Sequence, residues 1–140
     1  MKYYLDTSAF CALYTPEAQS KKMLTFIETH EVLFISRLVE TEFYSALAIK
    51  IRTKHIDKVS FQKITQLFNA HLAEGRYQKL YMSDEVFSQA ITYLKSNITA
   101  LKTLDALHLS CAALNKTTLI TSDRILYQSA HQLHLSAQLM

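Results

Sequence analysis

Short apolar runs alternate along this chain with longer stretches in which apolar residues return every three or four positions. The segments 2–5, 32–35, 79–82 and 117–121 have the length and residue types of short buried strands, and 133–139 adds a weaker one. Between them the spacing turns helical. It predicts helices over 7–14, from Thr15-Pro16-Glu17 to about 28, over 37–53, 60–73, from Ser83 onward, over 103–114 and over 123–132. Several ends are marked chemically. Pro16 suits a first helical position behind Thr15, and Ser36 and Ser83 are capping hydroxyls. Asp84 and Glu85 complement a helix dipole, and Gly75 is a natural stop. Short strands separated by helices predict parallel βα units. The expected fold class is therefore α/β, a three-layer α/β/α sandwich around a short-stranded central parallel sheet. No repeat, linker or low-complexity stretch divides residues 1–140, so a single domain is expected.

Composition sharpens this in one respect. One glycine and one proline in 140 residues leave little scope for a many-stranded sandwich and none for a Gly-rich phosphate loop. An apolar fraction of 49% and a charged fraction of 19% are ordinary for a globular domain. The formal charge of +3 permits an anionic partner without demanding one. Cys11 and Cys111 sit in apolar helical stretches with no zinc-type spacing, and read as buried thiols of a reducing compartment. Asp6 interrupts the apolar region that a signal peptide needs, and no stretch approaches the ~18 apolar residues of a membrane span. A cytoplasmic location without membrane association is the expectation.

Four acids carry the candidate chemistry: Asp6, Glu42, Asp105 and Asp123. Asp6 ends the first strand segment and Asp123 follows the fourth, so a parallel sheet brings both to the edge where open α/β sheets bind ligands. Singly, each aspartate has an ordinary reading, Asp6 and Asp123 as helix N-caps and Asp105 as the complement of a helix N-terminus. Glu42 resists that treatment. Its helical neighbours are Leu38, Val39, Ser45, Ala46 and Ile49, where a carboxylate is costly unless paired or metal-bound. Glu40, three residues after Arg37, reads as a solvated ion-pair partner. His108, one turn after Asp105, reads as a core histidine bonded internally, with metal ligation the lesser alternative. Carboxylates gathered at one edge repel each other unless a cation holds them, which points to a metal-dependent enzyme acting on phosphates. A serine nucleophile would need a glycine-flanked elbow that is absent. The segment Phe61, Ile64, Leu67, Phe68 has helical spacing and reads as core.

Four segments in order resemble the PIN-domain family, in particular the VapC-type toxin ribonucleases of toxin–antitoxin systems. They are Tyr4-Leu5-Asp6-Thr7-Ser8-Ala9, Ser36-Arg37-Leu38-Val39-Glu40-Thr41-Glu42, Leu104-Asp105-Ala106-Leu107-His108-Leu109 and Leu119-Ile120-Thr121-Ser122-Asp123. The family's usual glycine before the last segment is replaced around Asn115-Lys116, where an asparagine tolerant of left-handed backbone can serve. The resemblance implies a PIN-like sheet and a Mg²⁺- or Mn²⁺-dependent endoribonuclease. Asp6, Glu42, Asp105 and Asp123 would be direct or water-mediated metal ligands and catalytic residues, with Thr7 and Thr121 orienting carboxylates or waters. Arg37, Lys50, Arg52, Lys54 and Arg124 are the cations that could meet RNA, although the run from Lys50 to Lys54 is equally a solvated helix face. The implied partners are an RNA substrate, a cognate antitoxin protein and a second copy of the chain. The alternatives are an RNA-processing PIN nuclease outside such systems, a catalytically weak RNA- or protein-binding module, and a strand-end aspartyl phosphatase. The last is disfavoured because Ser8 stands where its second acid belongs.

Overall fold

Five short strands run parallel: β1 (Tyr3–Leu5), β2 (Leu33–Ser36), β3 (Tyr77–Leu80), β4 (Thr118–Thr121) and β5 (Ala137–Leu139). The computed structural model describes residues 1–30 and 32–140. Helices α1 (Thr7–Cys11) and α2 (Ser20–Glu28) join β1 to β2, and α3 (Arg37–Arg52) and α4 (Lys58–Ala73) join β2 to β3. Then α5 (Asp84–Ser96) and α6 (Thr103–Leu114) lead to β4, and α7 (Arg124–Gln132) leads to β5. The expected α/β class, helices flanking a parallel sheet of short strands, is the one observed.

Spatial order in the sheet is β3-β2-β1-β4-β5. The chain builds outward from β1 on one side and then crosses to build outward on the other. The carboxyl ends of β1 and β4 thus flank the point where direction reverses, which opens a crevice there. Tyr4, opposite Phe34 in β2 and Leu119 in β4, marks the register, and Tyr4, Leu5, Leu119 and Ile120 are all fully buried. Both elements carrying the remaining acids are anchored by core contacts. Phe10 of α1 packs edge-on against Phe43 of α3 at 5.0 Å and Phe68 of α4 at 5.2 Å, which seats α3 and turns Glu42, one residue from Phe43, toward α1. Unbroken burial from Ala106 to Ala112, immediately after Asp105, anchors α6, the helix that carries this acid. No described helix is long and apolar enough to cross a membrane.

Local boundaries differ from expectation for identifiable reasons. The first helix ends at Cys11, and Thr15-Pro16-Glu17 does not start the next. Thr15 donates its N–H and its hydroxyl to the Cys11 carbonyl, at 2.9 and 3.0 Å, and so closes the exit turn of α1; α2 begins only at Ser20. β3 lies two residues earlier than expected, because pairing with β2 runs from Leu33–Tyr77 to Ser36–Leu80 and because buried Tyr77 joins the Phe10 cluster. α4 starts at Lys58, capped by Asp57, whose Oδ1 accepts from the Ser60 N–H at 2.7 Å. Ser83 stands at the N-cap of α5 without a side-chain bond. Leu67 is exposed rather than core, and Cys11 is only partly buried.

Helix ends hold the main surprise. α3, α4, α6 and α7 each finish in the same paired-bond turn, with left-handed residues Lys54, Gly75, Lys116 and His134. In each, that residue and its successor donate N–H bonds back across the last turn; at α6, Lys116 donates to Ala113 at 3.1 Å and Thr117 to Ala112 at 3.0 Å. Lys116, not Asn115, therefore takes the left-handed position, while the Asn115 side chain donates to the Cys111 carbonyl at 2.8 Å.

Candidate active site

Asp6 is the first residue beyond β1, and its N–H donates to the Ile120 carbonyl at 3.0 Å, prolonging the ladder with β4. Its carboxylate is almost wholly buried and accepts three bonds. Oδ1 takes the Ala9 N–H at 2.9 Å and the Ser8 hydroxyl at 2.7 Å, and Oδ2 takes the Thr121 hydroxyl at 2.5 Å. Burial pushes the Asp6 carboxyl above the usual range, while the charge of His108 and the bonds from Ala9, Thr121 and Ser8 pull against it. Thr121 Oγ1 in turn accepts the Asp123 N–H at 2.9 Å, and Ser8 Oγ accepts the Ser122 N–H at 2.9 Å. The ends of β1 and β4 are stitched together by these two hydroxyls. Asp123 caps α7, with Oδ1 accepting from Ile125 and Leu126 at 2.8 and 3.2 Å. Both aspartates are thus N-caps and also members of the acidic edge.

Glu42 reaches the same edge from α3. Its Oε1 accepts the Thr7 hydroxyl at 2.8 Å and lies 2.5 Å from His108 Nε2. Burial alone would raise the Glu42 carboxyl; the hydrogen bond and charge of His108 and the bond from Thr7 outweigh it and hold the group below the usual range. His108 is buried and also bonded to the Tyr4 hydroxyl through Nδ1 at 2.8 Å, the internally satisfied state expected of a core histidine. Asp105, half-buried in the first turn of α6, is pushed up by burial and then by the negative charge of Asp123, with Glu42 adding to it. Glu40 faces elsewhere, paired with Arg37 at 3.1 Å and Lys79 at 2.7 Å.

The donor set suits a hard divalent cation. It is all carboxylate oxygen, and Glu42 Oε2 and Asp123 Oδ2 accept no hydrogen bond from the described residues. Among the described residues no three His, Cys, Asp or Glu side chains form a ready chelate. An ion that keeps several of its waters fits acids spaced in this way. The basic residues separate into two groups. Arg124 opens α7 next to Asp123, and Arg37 opens α3 one and a half turns before Glu42. Lys50 is held by Glu17 at 3.2 Å, and with Arg52 and Lys54 it belongs to the far end of α3. At 1.5 Å per residue that end is about 12–18 Å beyond Glu42, so these three cations do not join the acids.

A sequence-family match to the PIN domain spans residues 3–132. The chain belongs to the PIN domain family. Solved structures agree in fold. VapBC2 from Rickettsia felis, bound to a DNA fragment from its promoter, superposes with a TM-score of 0.69 at 17% identity over 100% of this chain and 99% of that one. VapC20 of Mycobacterium tuberculosis, a toxin cleaving the sarcin–ricin loop, gives 0.70 at 14% identity over 91% and 95%. VapBC-1 from nontypeable Haemophilus influenzae gives 0.62 at 19% over 99% and 98%. No curated protein matches the sequence significantly. In this PIN domain the acids of all four conspicuous segments come to one edge, while Arg37 is paired with Glu40, which faces away from them. Sequence reasoning missed the joint between Tyr4, His108 and Ser36. Nothing local signals it, since Tyr4 and His108 are 104 positions apart.

Proposed function

We propose that this PIN domain is a Mg²⁺- or Mn²⁺-dependent endoribonuclease acting as the toxin of a type II toxin–antitoxin pair. The observation carrying the nuclease reading is the gathering of carboxylates at the switch point of a parallel sheet, where Asp6 is tied through Thr121 to Asp123 and where Glu42 Oε2 and Asp123 Oδ2 accept no bond from the described residues. Such crowding is relieved by a cation more readily than by any side chain nearby. Asp6, Glu42, Asp105 and Asp123 hold the ion directly or through water, with Thr7 fixing Glu42 and Thr121 fixing Asp6. When bound, the cation supplies an activated water and neutralises charge on the phosphate undergoing attack. Arg124, which opens α7 beside Asp123, and Arg37, which opens α3, would meet the RNA backbone.

The toxin role and a cognate antitoxin are supported by resemblance to VapC-type proteins and by the VapBC complexes in which structural relatives occur, and a homodimer by the resemblance alone. A reading frame for a small DNA-binding protein immediately upstream would favour the toxin over an RNA-processing nuclease. A second reading, a binding module without catalysis, is favoured by the lack of a ready chelate among the described residues. Cleavage of structured RNAs decides between catalysis and binding. The wild type should cut with Mg²⁺ or Mn²⁺ and stop with a chelator, and Asp6→Asn, Glu42→Gln, Asp105→Asn and Asp123→Asn should each fall to background while remaining folded. Full activity in these variants would exclude the assignment.

A further inference from the structure

We infer that His108 is a positioning residue for Glu42, clamping one carboxylate oxygen so that the other is presented to the cation; this rests on the metal-dependent reading above. His108 lies one turn after Asp105 on α6 and is buried, with Nε2 2.5 Å from Glu42 Oε1 and Nδ1 2.8 Å from the Tyr4 hydroxyl. The Tyr4 hydroxyl is also 2.8 Å from Ser36 Oγ, and Ser36 Oγ accepts the Val39 N–H at 3.3 Å. Because the Glu42 carboxylate only accepts, Nε2 carries a proton and donates to it; Nδ1 then accepts the Tyr4 hydroxyl when the ring is neutral and donates to it when the ring is charged. The series joins β1, the start of α3 and α6, so the ring plane is set by three elements that themselves form the core.

Its chemical consequence is asymmetry. Thr7 and His108 both address Oε1, and Oε2 accepts no bond from the described residues. A glutamate has three side-chain torsions, and on a helix beside other acids it would swing away from them into water. Two donors on one oxygen hold it in place without consuming the second oxygen. Such support behind a ligand is what makes a carboxylate an effective metal donor.

Mn²⁺ titration calorimetry and RNA-cleavage kinetics on His108→Leu, His108→Gln and Tyr4→Phe test the role, with metal-free melting curves reporting the fold. His108→Leu should weaken Mn²⁺ binding by roughly 10–100-fold and lower kcat more than it raises KM. His108→Gln carries an amide N–H three bonds beyond Cβ, as the imidazole does, and should recover most of the affinity; Tyr4→Phe should fall between. A purely structural role would move melting temperature without this rescue. Should His108→Leu not fold, Gln and Phe variants that differ neither from each other nor from wild type in Mn²⁺ affinity would overturn the inference. Wild-type Mn²⁺ affinity in a folded Leu variant would overturn it too, leaving the nuclease intact. A wild type that neither binds Mn²⁺ nor cuts RNA would remove the nuclease reading and this role with it.

Discussion

Asp6 and Glu42 are opposite solutions to the same problem of placing a carboxylate beneath a sheet edge. Asp6 is buried and spends both oxygens on Ser8, Ala9 and Thr121, whereas Glu42 spends one and keeps the other. Asp105 has the least relief, and its pKa is raised by burial first and by Asp123 and Glu42 after it. An acid whose folded pKa lies above its unfolded value contributes stability below the ordinary aspartate range, and that contribution is lost as pH rises through the raised value. At neutral pH without metal, Asp105→Asn should therefore melt above wild type. Lowering the pH through the raised value should close the gap, because a protonated aspartate and an asparagine are then nearly equivalent. Melting curves between about pH 4 and 7 would show it; a gap that widens on acidification would contradict the crowding. The acids themselves were visible in the sequence because Glu42 broke an apolar helix face and Asp6 and Asp123 followed strand segments. Which oxygen each acid leaves free was not, since hydroxyls of Thr7, Ser8 and Thr121 decide it.

At the scale of elements, helix stops were read at least as well as starts. The expected ends near 28, 53, 73, 114 and 132 lie within a residue of those observed, whereas the start at Thr15-Pro16-Glu17 moved to Ser20 and the one at 60 moved to Lys58. Ser36, with its Oγ accepting from Val39, and Asp57, accepting from Ser60, show why caps mark a helix start: a side-chain acceptor must sit within three residues of the N–H it serves. Stops depend on backbone conformation, and with one glycine in the chain the left-handed ends of α3, α6 and α7 fall on Lys54, Lys116 and His134. Left-handed backbone costs a residue with a Cβ about 1–2 kcal/mol relative to the right-handed form, a cost that glycine escapes. Lys116→Gly should thus stabilise the protein by about 1 kcal/mol in denaturant unfolding, without disturbing the bonds from 116 and 117 back into α6. A loss of stability would mean that the lysine side chain has a role of its own. β3 shows the other limit: Tyr81 and Met82 look as strand-like as Tyr77, and only pairing with β2 selects Tyr77–Leu80.

For the whole molecule, the acidic edge exists because β1 is central. The order β3-β2-β1-β4-β5 sets the ends of β1 and β4 side by side, and α3 and α6 then bring Glu42 and Asp105 from residues far apart in the chain. Metal-free protein bears that repulsion across several elements at once, so a cation bound only by the folded state should stabilise the whole domain. Mn²⁺ at about 100 times its dissociation constant adds about 2.7 kcal/mol by mass action, which corresponds to a melting temperature higher by several degrees. The rise should shrink as the pH falls and Asp105 takes up a proton. Differential scanning calorimetry with and without chelator measures both effects, and no rise at any concentration would count against the site.

Periodicity, caps and the four acids follow from forces acting over a turn of helix or a few residues of strand. They were enough to predict parallel βα units and to single out Glu42, rather than the ion-paired Glu40, as a candidate acid. Strand order, the register of β3, the left-handed lysines and the joint from Ser36 through Tyr4 and His108 to Glu42 arise from contacts between segments up to 104 positions apart. Those contacts form only when burial of the core has brought the segments together, and no local pattern of residues encodes which hydroxyl will then face which carboxylate.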